Sequence, residues 1–555
     1  MSNKAFLNIL LSGFFILIIG FIVRISLNKS KPQKSINQNP KLVIGIVVDQ
    51  MKYQYLTKYW DHYSENGFKR LVNKGFNAKT NHYRYAQTST GPGHATVATG
   101  TNPSVHGIIG NDWFDKKIKK SIYCVDDYNY KTIGSSNDSG RKSPVNLLST
   151  TLSDENRIAT NFKGKTIGVA IKDRGSILSS GHTANAAYWF DSEEGNFVSS
   201  SYYLSSLPRW AKEFNDLKFI DKYLIPWDTY HDISIYSQSG PDENDYESNF
   251  EGEDSPVFPH NFKIIDKSGN PYYGSLPSTP FGNSIVTDFS IKAVEGEELG
   301  KDNITDFLLI DYSSTDYVGH QFGTHSKEVQ DTYIRLDKEI EILLSYFDNN
   351  IGKNEYTIFL TADHGATDNP SFLIDNKIPV NIFNSRKFKY HIEKSLIKLF
   401  GSKYIISGNS NQQIYLNNEL ISKLNLNPDF VKKSIIRTIQ SFPGIDNVYS
   451  SDQIFNVTNN HFVNLIRNGF NKNISGDIVY TIMPNWAYYR KGSTHGRRFT
   501  HDTHVPLILF GNGIKKGSTS RETEVIDIAT TIASILGINS PNSSTGKVIY
   551  EAISD

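Results

Sequence analysis

Five short apolar runs stand out along the chain, at residues 42–48, 166–171, 307–312, 356–360 and 505–510. Each is nearly continuous rather than alternating, which is how strands buried on both faces of a parallel sheet read. Between them the apolar positions switch to helical spacing, as at residues 327–347 and 522–536. That alternation predicts an α/β fold: a doubly wound, mostly parallel sheet sandwiched by helices. Two stretches break the pattern, residues 183–300 and 371–488. The first is rich in Tyr, Ser, Asp and Pro; the second mixes strands at 413–416 and 478–483 with a helix at 429–442. Both are expected to be insertions at the carboxyl edge of the sheet, forming a cap.

One further apolar run has a different character. Residues 5–23 are interrupted only by Asn8, Ser12, Gly13 and Gly20, with Lys4 before and Arg24 after. The run is long enough to span a bilayer and is followed by a polar linker at 28–40. The expected organisation is therefore a signal or anchor at 1–27, a linker at 28–40 and one large domain over 41–555. The body is expected to be periplasmic or otherwise extracytoplasmic, either tethered to the inner membrane by residues 5–23 or released after export. Arg24, Lys29, Lys31 and Lys34 follow the run, whereas cytoplasmic flanks are usually the more basic. Long domains translocate despite such a bias.

Composition narrows the function classes. Aromatics make up 12% of the 555 residues, enough for a large packed core. Lys and Arg number 58 against 57 Asp and Glu, so nucleic acid has no electrostatic support as a partner. Affinity for an anionic small molecule must come from a local site. Cys124 is the only cysteine; it can close no internal disulfide and is expected to be a buried, unreactive thiol.

Polar residues gather just after the apolar runs: Asp49, then Lys172 and Arg174, then Asp316, then Asp363 and His364. In open α/β sheets the ligand crevice lies at the carboxyl ends of the strands, so these residues should converge there. Asp316 and His320 stand one helical turn apart, and His495 sits in Ser-Thr-His-Gly. Taken singly, an Asp after a strand is more often a helix N-cap, and a lone histidine usually does nothing. Taken together, three Asp and three His suit a pair of divalent ions. With nitrogen and oxygen donors and no thiolate, zinc is the first choice among the ions such ligands accept. Thr88-Ser-Thr90-Gly-Pro-Gly-His94 opens a helical pattern whose glycines let backbone N–H groups approach an anion. Its three hydroxyls are rival nucleophiles, and an ordinary N-cap threonine would look the same.

The segments Val47-Val-Asp49-Gln-Met, Thr90-Gly-Pro-Gly-His94, His106-Gly-Ile-Ile-Gly-Asn111-Asp-Trp, Ile171-Lys172-Asp-Arg174-Gly, Asp316-Tyr-Val-Gly-His320, Ala362-Asp363-His364-Gly and Thr494-His495-Gly resemble those of phosphate-irrepressible alkaline phosphatases with a threonine nucleophile. These belong to the alkaline phosphatase superfamily and are related to type I phosphodiesterases and nucleotide pyrophosphatases. The resemblance runs over residues 42–548. It implies an alkaline-phosphatase-like fold and two Zn²⁺, one held by Asp316, His320 and His495, the other by Asp49, Asp363 and His364 and contacting Thr90. It also implies that Asn111, Lys172 and Arg174 hold the non-bridging phosphate oxygens, and that phosphate monoesters are hydrolysed through a phospho-threonine at Thr90. Thr90 is preferred to Thr88 and Ser89 because it stands four before His94, as in the family pattern.

Three other readings remain to be weighed. A phosphodiesterase or nucleotide pyrophosphatase would use the same metals and threonine, but Lys172 and Arg174 favour a monoester, which carries one more negative charge than a diester. A sulfatase would need a modified Cys or Ser in a Cys-x-Pro-x-Arg-type context, which Cys124 does not provide. A non-catalytic relative would lack a ligand or the nucleophile, and none is missing.

Overall fold

The computed structural model describes residues 39–458 and 460–554. The hydrophobic run at 5–23 and all but the end of the linker at 28–40 lie outside the described residues. Residues 40–555 cluster as one unit.

A ten-stranded sheet organises this unit. Its strands in chain order are β1 (Leu42–Val48), β2 (Phe76–Ala78), β3 (Thr132–Ile133), β4 (Thr166–Ala170), β5 (Ala186–Asp191), β6 (Asn196–Ser200), β7 (Asp306–Tyr312), β8 (Tyr356–Thr361), β9 (Leu507–Gly511) and β10 (Gly517–Thr519). Across the sheet they run β10-β2-β9-β8-β1-β7-β4-β5-β6-β3. β1 lies centrally, parallel to β7 on one side and β8 on the other, with Val47 opposite both Asp311 and Thr361. All seven β1 residues are buried. Successive side chains point to opposite faces of a strand, so both faces must be covered. The main apolar core accordingly joins the strands to the surrounding helices through residues such as Val43, Ile44, Phe289, Leu308, Leu336, Ile358 and Ile532.

Two sequence expectations change. The run at 505–510 becomes β9, which is antiparallel to β8, with Leu360 opposite Ile508. Continuous burial reports that both faces of a strand are covered; it carries no information about strand direction. Within residues 183–300, β5 and β6 extend the main sheet and the helix Phe281–Glu297 packs in the main core. Most of what lies between is short 3₁₀ turns and irregular chain.

Residues 381–487 carry a second sheet, antiparallel, in the order Ile406–Ser410, Gln413–Leu416, Ile478–Ile482, Ile445–Ser450. Helices Ser385–Phe400 and Pro428–Gln440 cover it. Their Phe388, Ile392, Val431, Ile435 and Ile439 form an apolar cluster with Ile478, Tyr480 and Ile482, distinct from the main core. This layer is tied to the main body at two places beside the polar residues of interest. Asn411 Nδ2 donates to the Asp112 carbonyl (2.5 Å), next to Asn111, and Arg498, three residues after His495, pairs with Asp446.

Candidate active site

Four parallel strands end at the same edge, and their topology delivers the polar residues to one place. Asp49 directly follows β1. Lys172 lies just beyond β4 and precedes α2 (Asp173–Ser180). β7 leads into α3 (Ser314–Phe322), which carries Asp316 and His320 on one face. β8 leads to Asp363 and His364. Thr90 begins α1 (Thr90–Thr99), all ten of whose residues are buried. A Cβ on Gly93 would collide with the Asp363 backbone, so glycine lets the helix start abut the loop after β8. Ser89, in extended conformation, precedes the helix as its N-cap.

The three rival hydroxyls separate in space. Thr88 Oγ1 donates to the Arg497 carbonyl oxygen (3.0 Å). Thr90 Oγ1 instead faces two cations, Lys172 Nζ at 3.5 Å and Arg174 Nη2 at 3.4 Å. Asn111 Oδ1 accepts from the Gly91 N–H (2.8 Å), which fixes its amide beside Thr90 and leaves its NH₂ as a donor. Nη1 of Arg174 donates to the Tyr123 hydroxyl (2.9 Å), which donates in turn to Asp173 Oδ1 (2.5 Å).

Lys172 is buried with its Nζ 2.5 Å from both Asp49 Oδ2 and Asp316 Oδ2. Burial works against its charge, but Asp316 and Asp49 together hold its pKa above that of an ordinary lysine. Burial likewise opposes the Arg174 charge, and Tyr123 and Asp173 more than restore it. Both groups are therefore held in their charged forms by their neighbours.

The ligand-competent residues form two trios within reach of a single ion, Asp316–His320–His495 and Asp49–Asp316–His364. Asp316 belongs to both. Asp363 stands at the edge of the second, with Oδ2 3.2 Å from His364 Nε2. The donor chemistry fits divalent cations in three ways. First, Nδ1 of each histidine lies against a backbone carbonyl: His320 against Ser493 O (2.9 Å), His364 against Gly365 O (3.0 Å) and His495 against Thr88 O (2.9 Å). A carbonyl accepts only, so in the neutral ring each Nδ1 carries the proton and each Nε2 presents a lone pair. Second, Asp49 Oδ1, Asp363 Oδ2 and His364 Nε2 are buried without a hydrogen-bond partner, and buried polar groups normally have one. Third, burial and then the charges of Asp316 and Asp363 push the Asp49 carboxyl well above the usual range. Burial raises Asp363 to about 7 and lowers His364 to about 3. A divalent cation relieves all of these at once.

All ten residues singled out from the sequence thus meet at one edge of the sheet. Cys124 is buried, and burial raises its pKa, as expected of an unreactive thiol. Nothing in the sequence marks Gln50 or Tyr123, because a glutamine after an aspartate and a lone tyrosine carry no spacing signal.

Residues 43–506 match the model of the type I phosphodiesterase / nucleotide pyrophosphatase family. A protein of Myroides odoratus named as a calcium-transporting ATPase is 41% identical over 93% of this chain and 95% of its own length. Alkaline phosphatase PhoV of Synechococcus elongatus is 40% identical over 93% of both chains. The crystal structure of alkaline phosphatase PafA superposes with a TM-score of 0.88 at 37% identity, covering 93% of this chain and 99% of that one. By family model, sequence and fold alike, the chain belongs to the type I phosphodiesterase / nucleotide pyrophosphatase family of the alkaline phosphatase superfamily.

Proposed function

We propose that this chain is an alkaline phosphatase: a two-zinc phosphomonoesterase that works through a phospho-threonine at Thr90. One observation carries the reading, the Thr90 hydroxyl at a helix start with two cations on it, the buried Lys172 and the half-buried Arg174. Alkaline phosphatase relatives at about 40% identity support it.

Phosphoryl transfer spreads negative charge over three equatorial oxygens while the attacking and leaving oxygens lie in line. Asp316, His320 and His495 would hold one zinc and Asp49, Asp363 and His364 the other. When bound, the two ions supply positive charge at the attacking and leaving oxygens. The remaining work falls to the chain's own groups. Thr90 Oγ1 attacks phosphorus, the bond to the ester oxygen breaks, and the alcohol departs with a proton. Water then takes the phosphoryl group from Thr90 and releases phosphate. Lys172 and Arg174 neutralise the non-bridging oxygens, and Asn111 adds its amide donors.

A second reading, phosphodiesterase or nucleotide pyrophosphatase, follows the family model's own description. Lys172 and Arg174 weigh against it, since a diester replaces one charged oxygen with a substituent where they stand. A nucleoside triphosphate ends in the same phosphoryl group as a monoester, so ATP hydrolysis falls within the proposed chemistry. Among the described residues no helix is long and apolar enough to cross a membrane. Tethering outside the cytoplasm rests on residues 5–23. Protease accessibility in spheroplasts tests it: a body protected from external protease would count against it.

Monoester and diester turnover measured side by side on metal-quantified protein tests the activity. The expected result is a monoester kcat/KM well above the diester value with two zinc ions per chain. A diester preference would overturn the assignment.

A further inference from the structure

Gln50 follows the β1 aspartate and is 3% exposed, with φ at +65°, a conformation that side-chain-bearing residues seldom adopt. Such a backbone persists only where surrounding contacts over-determine it. Here they do. The Gln50 N–H donates to Asp363 Oδ1 (3.1 Å), and its side-chain Nε2 donates to Asp316 Oδ1. Its Oε1 lies 3.1 Å from the Ser493 hydroxyl. The Ser493 carbonyl in turn orients His320 through Nδ1. A single residue therefore touches a carboxylate of each ligand set and, through Ser493, a histidine. Gly319, between Asp316 and His320, stands so close that a Cβ there would strike Gln50 Oε1.

We propose that Gln50 is a positioning residue that couples the two ligand sets, setting Asp363 with its backbone and Asp316 with its amide, so that the metals are held as a pair. This goes beyond the ligand assignment but rests on the two-metal reading above. Partners that orient ligating carboxylates are typically worth roughly 10–100-fold in metal affinity.

The test is zinc competition against a chromophoric chelator on the full-length protein, with melting of the metal-free protein alongside. Wild type is expected to release two zinc ions in one transition. Gln50→Gly keeps the backbone N–H and suits the positive φ, but lacks the amide. It is expected to release zinc in two separated steps, the weaker roughly 10–100-fold weaker than wild type. Its metal-free form is expected to melt no lower than metal-free wild type. Release of both ions as in wild type would overturn the proposal. So would a lower metal-free melting temperature, which would assign Gln50 to the fold instead. Gly319→Ala perturbs the same amide from outside, in a helix where alanine is otherwise favourable, and is expected to split the release in the same way. If Gln50→Gly does not fold, unchanged release in Gly319→Ala overturns the proposal. A wild type holding fewer than two zinc ions would sink the two-metal reading itself.

Discussion

The Tyr123 hydroxyl holds Arg174 in place: it accepts from Nη1 at 2.9 Å while donating to Asp173 Oδ1 at 2.5 Å. Burial and the Asp173 charge raise its pKa, so the phenol stays protonated and able to donate. The other guanidinium end lies 3.4 Å from Thr90 Oγ1, which makes Tyr123 a brace for one half of the proposed phosphate clamp. Tyr123→Phe should lower monoester kcat/KM roughly 10- to 150-fold, the equivalent of about 1.5–3 kcal/mol for a lost hydrogen bond to a charged group. Diester turnover should change little. Equal losses on both substrates would assign Tyr123 to packing.

Thr90→Ala should leave metal content nearly intact yet abolish the phospho-enzyme and most turnover. Thr90→Ser should retain measurable activity, because the hydroxyl survives. Acid-quenched phospho-enzyme trapping reads both. A phosphorylated Thr90→Ala protein would transfer the nucleophile to Thr88 or Ser89, although the Thr88 hydroxyl already donates to the Arg497 carbonyl.

Replacing Lys172 and Arg174 together with Ala removes two charge-assisted contacts worth about 1.5–3 kcal/mol each. Monoester kcat/KM should fall on the order of 10²- to 10⁴-fold, allowing for non-additivity. Diester kcat/KM should fall much less, since its transition state offers less charge for the clamp to grip. Lys172 also sits between Asp49 and Asp316, so metal content must be measured on the same samples. Loss of zinc with loss of both activities would give Lys172 a role in the metal site.

A chelator should abolish activity and zinc should restore it, with close to two ions per chain at full activity. Asp363→Ala should cost both occupancy and turnover. Full activity in rigorously metal-free protein would remove the metal from the mechanism.

Packed against Phe322 at the end of α3, the buried His260 sits between Glu328 Oε1 (3.0 Å) and Glu253 Oε2 (3.3 Å). Burial works to lower its pKa, but the two carboxylates outweigh it and raise the value from 6.5 to about 9. A folded-state pKa above the unfolded one stabilises the protonated fold, so the contribution is full below about 6.5 and lost as pH rises through about 9. At its fullest it is on the order of 3 kcal/mol. The melting-temperature gap between wild type and His260→Gln should therefore narrow across that window. A gap that widens with pH would mean that His260 is neutral in the fold.

Much of the site was legible from residue order alone. Asp49, Lys172, Asp316 and Asp363 each lie at or just beyond the end of an apolar run, and a doubly wound sheet must bring such ends together. The order of motifs from Thr90 to His495 carried the resemblance to the family, which the family model over residues 43–506 bears out.

Strand direction, partners and the sharing of ligands were decided only in three dimensions. The run at 505–510 read as buried, yet its antiparallel pairing with β8 depends on how the chain returns from the second sheet. Gln50 reaches Asp316 across 266 residues of sequence, and His495 Nδ1 reaches the Thr88 carbonyl across 407. Asp316 lies in both candidate metal trios because β7 lies next to β1, a fact of strand order. Local periodicity records which faces of the chain avoid water. Which faces then meet is set by packing between distant segments, and there the positions of Gln50, Tyr123 and the Nε2 atoms of the three histidines were fixed.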